Sequence, residues 1–162
     1  MRYLDTLIQH CHAAKTAIPV QEFIFSTVDD LPPISKAIYI IEQVDGDMNE
    51  TFNHFRIFKA QGTHACARLN APCTVMYVGS STTGLKNRLK QHWGQGQKST
   101  YALHLGQGQK STYALHLSQW FQGQFKITIR QYEVDHQVLQ LIEDDLSHQL
   151  KPAFGKLGAN NK

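Results

Sequence analysis

Residues 74–92 read TVMYVGSSTTGLKNRLKQH, in which a short apolar run is followed by small hydroxyl residues and then by a basic segment. The apolar run is rich in β-branched and aromatic residues, which predicts a buried strand. A helix is predicted from Gly84 to about Trp93, because Leu85 and Leu89 are one turn apart and would both face the core. The stretch therefore predicts a strand, a polar loop and a basic helix in direct succession.

The remaining apolar patterns predict a small mixed or antiparallel central sheet flanked by helices, which is the α/β (α+β) class. An N-terminal helix is predicted within residues 1–18, and a last helix runs from its expected N-cap, Asp135, to about Gln149. Residues 61–72 are predicted to be loop. The other predicted strands are KAIYIIEQ at 36–43, FNHFRIFKA at 52–60 and FKITIRQYEV at 125–134.

Length and composition predict one domain in a reducing compartment. The chain has 162 residues, of which 41% are hydrophobic, and this is enough for a single core. Polar residues interrupt the N-terminal stretch MRYLDTLIQHCHAAKTAI, so neither a signal peptide nor a membrane span is predicted. Three widely spaced cysteines favour free thiols. A cytoplasmic location is therefore expected, with no membrane partner.

The distribution of charge is more informative than its sum. The net charge is only +3, but no acidic residue occurs between Thr51 and Tyr132. An acid-free, basic segment is typical of a surface that binds polyanions, and DNA is the expected partner. The alternative is that these cations are scattered over a solvated surface. The residues expected to contact nucleic acid are Lys86, Arg88, Lys90, Arg56 and Lys59.

A tandem duplication lies between the basic helix and the strand that begins at Phe125. The twelve letters GQGQKSTYALHL at 94–105 recur at 106–117 without a substitution. Only one copy can occupy the connection, where its tyrosine, alanine and leucines are expected to face the core. The other copy lengthens the connection, and a lengthened hinge favours exchange of elements between protomers. We therefore expect a homodimer, possibly domain-swapped through the duplicated segment.

Two tripeptides on predicted strands, AIY at 37–39 and YVG at 77–79, resemble the two that name the GIY-YIG nuclease superfamily. The resemblance continues with Arg88 and His92 on the following helix and ends with Glu143 in the last helix. It implies one GIY-YIG-like nuclease domain over residues 1–162. Within it, the insertion at 42–73 separates the two motifs and is expected to carry DNA-recognition elements, as in restriction-type members.

The resemblance implies a metal-dependent endonuclease that hydrolyses phosphodiester bonds in DNA. A single carboxylate, Glu143, can hold one Mg²⁺ or Mn²⁺ that keeps its waters. The planar guanidinium of Arg88 can clamp the scissile phosphate. Tyr39 and Tyr77 can orient or deprotonate the attacking water, and by resemblance the general base is Tyr39. His92, one turn after Arg88, is expected to assist proton transfer or to hold a phosphate. An ordinary tyrosine has a pKa of about 10, so the metal and the arginine would have to favour phenolate.

The sequence departs from the family pattern, and other readings stay open. Ala37 replaces the first glycine, and Gly155 stands where members often have an asparagine. Asp144 or Asp145 is the metal ligand if the spacing is shifted. An alternative function is a catalytically weak or inactive DNA-binding or structural protein on the same fold. His104 and His116 are copies of each other and are not needed for catalysis, and a zinc site at His64, Cys66 and Cys73 is disfavoured by irregular spacing.

Overall fold

The computed structural model of the chain describes residues 2–27, 29–94 and 113–158. Within these ranges, helices are interspersed among strands that pair only in antiparallel fashion. The elements are α1 (Tyr3–Thr16), β1 (Gln21–Phe25), β2 (Ala37–Gln43), α2 (Met48–Ala60), β3 (Val75–Ser81), α3 (Leu85–Trp93), α4 (Leu117–Trp120), β4 (Phe125–Gln131) and α5 (His136–Leu150).

The four strands form one antiparallel sheet in the order β1-β4-β2-β3. Strand β2 is central, and its first five residues, 37–41, are buried because both faces of the sheet are covered. Strand β3 lies at the edge of this sheet. The predicted α+β class with a small antiparallel sheet is therefore confirmed.

The two faces of the sheet have separate cores. One face contributes Tyr39, Ile41 and Ile129 to a cluster that includes residues of α2, α3 and α4. The other face contributes Ile38 and Ile40 to a cluster with α5, against which α1 packs. Successive strand residues point to opposite faces, so one apolar run supplies both cores.

The predicted helices on either side of the sheet are confirmed, with their ends close to the predicted ones. Leu85 and Leu89 of α3 are buried, and Gly84 is the N-cap of that helix. Asp135 is the N-cap of α5 through its extended backbone, without a side-chain capping bond. No helix among the described residues is long and apolar enough to span a membrane.

The predicted strand at 52–60 is wrong, because these residues belong to helix α2. Asp47 caps that helix by accepting a hydrogen bond from the Asn49 N–H. Phe55 and Phe58 are buried with helical spacing, and the Phe55 ring lies 5.0 Å from the ring of Trp120. The short elements β1 and α4 were not predicted, since five and four residues carry too little periodicity.

The described part of the duplication is the end of its second copy. Residues 114–117 are buried in the first core, and Trp120 Nε1 donates to the Leu115 carbonyl at 2.7 Å. Ala114 pairs with the 65–67 segment through two backbone hydrogen bonds of 3.0 and 3.2 Å. Tyr113, which was expected to face the core, is 59% exposed, although the four residues that follow it are buried. His104 and the remainder of the first copy after Gly94 lie outside the described residues.

Candidate active site

The first motif tyrosine, Tyr39, packs directly on the second motif glycine, Gly79. These residues are cross-strand partners between β2 and β3. A Cβ atom on residue 79 would lie 2.5 Å from the Tyr39 Cζ, so only glycine leaves room for the phenol. Tyr39 is 1% exposed, and burial raises the pKa of its hydroxyl far above the ordinary value. The nearby Arg88 charge lowers this pKa, as expected, but burial outweighs it.

The second motif tyrosine, Tyr77, stacks beside the first. A register shift between Ile41 and Glu42 places an extra residue in β3 just before Tyr77. The two phenol rings are 6.1 Å apart at an interplanar angle of 8°. Gly155 has a φ of +90°, and a Cβ there would lie 2.5 Å from the Tyr77 Cε2. A glycine at this position therefore makes room for the Tyr77 ring.

Arg88 reaches from α3 to the second tyrosine. Its Nη2 donates to the Tyr77 hydroxyl at 3.3 Å and to the Tyr113 carbonyl at 2.8 Å, and its Nη1 donates to the Gln91 Oε1 at 2.9 Å. Burial opposes the charge on the guanidinium, but the phenols of Tyr39 and Tyr77 outweigh burial and raise the Arg88 pKa. The cation is therefore held in place beside both tyrosines.

His92, one turn further along α3, is a buried neutral imidazole. Burial lowers its pKa well below the usual value, and the charges of Arg88 and His116 lower it further. The Leu115 N–H donates to His92 Nδ1 at 3.2 Å, so we assign the ring proton to Nε2. That nitrogen lies 3.1 Å from the Tyr39 hydroxyl oxygen, to which it donates. A backbone N–H of the duplicated segment thus sets the tautomer of the histidine that holds Tyr39.

Glu143 approaches the cluster from the opposite face of the sheet. The Ser80 hydroxyl and the Gln140 amide both donate to its Oε2, the latter at 3.3 Å. Glu143 is 7% exposed, and burial raises the pKa of its carboxyl, although Ser80 and the Lys156 ammonium partly offset this. The Glu143 charge in turn raises the Tyr39 pKa.

The two neighbouring aspartates occupy different surroundings. Asp144 accepts from Gln140 at 3.0 Å and forms an ion pair with Lys156 at 3.5 Å. Asp145 is exposed and accepts from Gln149 at 3.0 Å. Of the three acidic residues, Glu143 is the one whose charge acts on Tyr39.

The donor set at Glu143 fits a cation that keeps most of its water. In residues 2–27, 29–94 and 113–158, no three His, Cys, Asp or Glu side chains are grouped to hold an ion, and this includes His64, Cys66 and Cys73. Both described hydrogen bonds to the Glu143 carboxylate end on Oε2, and Oε1 is therefore the oxygen proposed below as a metal ligand. Mg²⁺ is often held by one or two carboxylates together with water and substrate phosphate.

A cleft of about 400 Å³ lies between the end of β3 and the start of α3. Ser80, which holds Glu143, and Arg88, which holds Tyr77, both line it. The hydroxyl residues that follow β3 and the polar side chains of α3 complete the lining. The full lining is Ser80, Ser81, Thr82, Thr83, Gly84, Asn87, Arg88 and Gln91.

The basic residues predicted to contact nucleic acid are not all near this cleft. Lys86 and Lys90 are half-exposed on α3, the helix that carries Arg88. The Lys59 ammonium donates to the Ala67 carbonyl at 3.1 Å and lines a second cavity beside Tyr77. Arg56 is exposed on α2, where it donates to Asn53, and is not part of the cleft lining.

Residue patterns carry no signal for the contribution of the duplicated segment to the site. His116 was set aside as a copy, but it is buried at a φ of +52° and contacts the Ala65 carbonyl through Nε2 at 2.8 Å. Tyr113 and Leu115 hold Arg88 and His92 through backbone atoms. Backbone contacts of this kind leave no trace in residue type, and two identical copies are indistinguishable by pattern.

Comparison with protein-family models, with curated proteins and with solved structures found no match. Membership of the GIY-YIG superfamily therefore remains a proposal that rests on the residues described above.

Proposed function

We propose that the protein is a GIY-YIG-like, divalent-metal-dependent endonuclease that hydrolyses phosphodiester bonds in DNA. The observation that supports this most is that two residues of one small cleft contact the other groups. Arg88 donates to the Tyr77 hydroxyl, and Tyr77 stacks beside Tyr39, while Ser80 donates to the buried Glu143 carboxylate. Hydrolysis requires a positioned water, stabilisation of charge on the phosphate and a proton for the leaving oxygen. These groups can meet each requirement.

Arg88 is proposed to bind the scissile phosphate. Its position is determined by the Tyr77 hydroxyl and the Tyr113 carbonyl, so little freedom is lost when the phosphate arrives. A guanidinium stays charged at any working pH and offers paired donors to phosphate oxygens. Lys86 and Lys90 of the same helix are proposed to contact flanking phosphates, with Lys59 and Arg56 further out.

Tyr39 is proposed to act on the attacking water. Its hydroxyl accepts from His92 Nε2 and also interacts with Arg88, so its own proton is the group left for the water. The buried phenol is neutral at ordinary pH, and it orients the water until bound cations favour the phenolate required of a general base. His92 keeps the phenol in place as a neutral donor.

Glu143 is proposed to hold Mg²⁺ or Mn²⁺ through Oε1. When bound, such an ion supplies charge stabilisation at the phosphate and lowers the pKa of its water. Because the Glu143 pKa is raised, metal and proton compete for the carboxylate, and metal affinity increases with pH through that pKa.

A DNA-binding protein without catalysis is the second candidate function. It is favoured by the burial of Tyr39 and by the raised pKa values of Tyr39 and Glu143, which both disfavour the charged forms. The acid-free, basic segment suits either function. The three free cysteines, Cys11, Cys66 and Cys73, are the basis on which we propose a cytoplasmic location.

Nicking of supercoiled plasmid tests the enzymatic proposal. The parent protein is expected to nick DNA with Mg²⁺ or Mn²⁺ and not with EDTA. Tyr39→Phe is expected to reduce the rate by about tenfold or more, because it removes the hydroxyl that positions water. Tyr132→Phe is the matched control, since Tyr132 is a buried tyrosine of the other core. An inert parent that retards DNA in a salt-dependent way would instead support the binding function.

A single-copy variant tests the proposed homodimer. Removing either twelve-residue copy yields the same chain and shortens the connection between Gly94 and Tyr113 from eighteen residues to six. A connection of six residues can span about 20 Å. It has to return along α3 from Gly94 to the level of Arg88, which contacts Tyr113, and this distance is about 9 Å. The variant is therefore expected to close within one chain and to be monomeric by light scattering, while the parent is dimeric. A parent that is monomeric at every concentration would contradict exchange through this segment.

A further inference from the structure

A second cavity, of about 540 Å³, opens beside the candidate active site. Tyr77 and Tyr113 both line it, and these are the two residues to which Arg88 Nη2 donates. Arg88 itself lines the hydroxyl-rich cleft. The guanidinium therefore connects the cleft proposed for the scissile phosphate with this second cavity, which we call the tyrosine pocket.

The chemistry of the tyrosine pocket combines aromatic walls, a small apolar floor and a basic rim. Tyr113 is 59% exposed although its neighbours 114–117 are buried, so its ring is presented to solvent at the mouth of the cavity. Cys66, Ala67 and Gly155 contribute small groups that leave the cavity open. The rim cations are Lys59, Arg68 and Lys156.

Two of the rim cations, Lys59 and Lys156, retain donors for an anionic ligand. The Lys59 ammonium has three donors and uses one on the Ala67 carbonyl. Lys156 is 3.5 Å from Asp144, an ion pair that leaves its other protons available. An aromatic face surrounded by ammonium groups suits a ligand that has both a flat ring and flanking phosphates.

We propose that the tyrosine pocket binds an unpaired nucleobase next to the scissile phosphate, by stacking on Tyr113. This inference rests on the proposed function, because it takes Arg88 as the position of the phosphate. Bases within a duplex are stacked on each other and cannot enter a pocket unless they are extruded. The preferred substrate is therefore DNA with a single-stranded or unpaired nucleotide at the cleavage point, which includes the locally unpaired sites of a supercoiled plasmid.

Binding without metal tests the pocket separately from catalysis. The probe is an oligonucleotide with one fluorescent 2-aminopurine, titrated in EDTA as a single strand and as a duplex. Tyr113→Ser is expected to weaken single-strand binding about tenfold, because one base loses its stacking partner. Duplex binding is expected to change less than about twofold. Tyr3→Ser is the matched control, since Tyr3 is 77% exposed on α1, and Tyr113→Phe should bind like the parent because it keeps the ring.

The possible outcomes separate the pocket from the nuclease. Equal weakening of single-strand and duplex binding by Tyr113→Ser, or equal behaviour of Tyr113→Ser and Tyr3→Ser, would overturn the pocket. Loss of binding in Tyr113→Phe would overturn it as well, since stacking would not be the cause. If the parent nicks DNA but binds single strands no better than duplex, the nuclease proposal stands and the pocket proposal is wrong. If the parent prefers single strands but never nicks, the pocket proposal stands and the nuclease proposal is wrong. If the parent binds neither oligonucleotide, both proposals are wrong.

Discussion

Glu143→Gln is expected to lower metal-dependent nicking by about a hundredfold or more, since an amide is a poor ligand for Mg²⁺ and loss of metal-ion catalysis costs several kcal/mol. The glutamine can still accept from Ser80, so the loop after β3 should keep its place. DNA binding without metal is expected to be nearly unchanged. Nicking rate and gel retardation, measured side by side, check the two expectations.

The same substitution is expected to make the folded protein more stable at neutral pH. Burial raises the Glu143 pKa above its ordinary 4.5, so the folded state binds the proton more tightly than the unfolded state. The stability of the parent therefore falls as the pH rises from about 4.5 through the folded-state pKa, and the ionised carboxylate remains a cost above it. Glutamine has no such cost, and a gain of about 0.5–2 kcal/mol is expected in urea unfolding at pH 7.

Asp145→Asn is the matched control for Glu143→Gln. Asp145 lies two residues away on the same helix, is exposed, and has a polar partner of its own in Gln149. Its amide variant should change stability by less than about 0.5 kcal/mol and should nick like the parent. If Glu143→Gln nicks DNA at the parental rate, the catalytic role assigned to this carboxylate is wrong. If the stability of the parent does not change with pH while that of the variant does, the raised pKa assigned to it is wrong.

Gly79→Ala is expected to destabilise the protein by about 1–3 kcal/mol and to reduce nicking about tenfold or more. Its Cβ would lie 2.5 Å from the Tyr39 Cζ. The ring cannot move aside freely, because Tyr39 is buried, stacks beside Tyr77 and bonds to His92. Moving the phenol would also displace the hydroxyl proposed to position water. Urea unfolding and the nicking rate are the measurements.

The sign of the stability change in Gly79→Ala distinguishes a steric clash with Tyr39 from the effect of alanine's strand propensity. Alanine in place of glycine within a strand otherwise stabilises by about 0.5–1 kcal/mol, so a net loss points to steric conflict. In a Tyr39→Leu background the phenol is gone, and the same Gly79→Ala change should cost less or become favourable. Additive effects in this double-mutant cycle would show that the two residues do not compete for space.

The elements near the site were predictable where their patterns are local. Leu85 and Leu89 specify the buried side of α3, and the apolar run of β2 is long enough to be recognised as a central strand. Residues 52–60 were misassigned because aromatic residues recur there at short intervals that fit alternation as well as a helix. Burial of Phe55 against Trp120, far away in the chain, accompanies the helix that these residues form.

By itself the sequence determined the order of strands and helices around the cleft and the identity of the tyrosines, arginine, histidine and glutamate that the resemblance assigns to it. Local periodicity and residue type carry that information. The tertiary structure alone decided that the second copy of the duplication fixes Arg88 and His92 through backbone atoms. It also decided that Tyr39 and Glu143 have raised pKa values. Desolvation depends on every atom packed around a group, and residues distant in sequence supply most of those atoms.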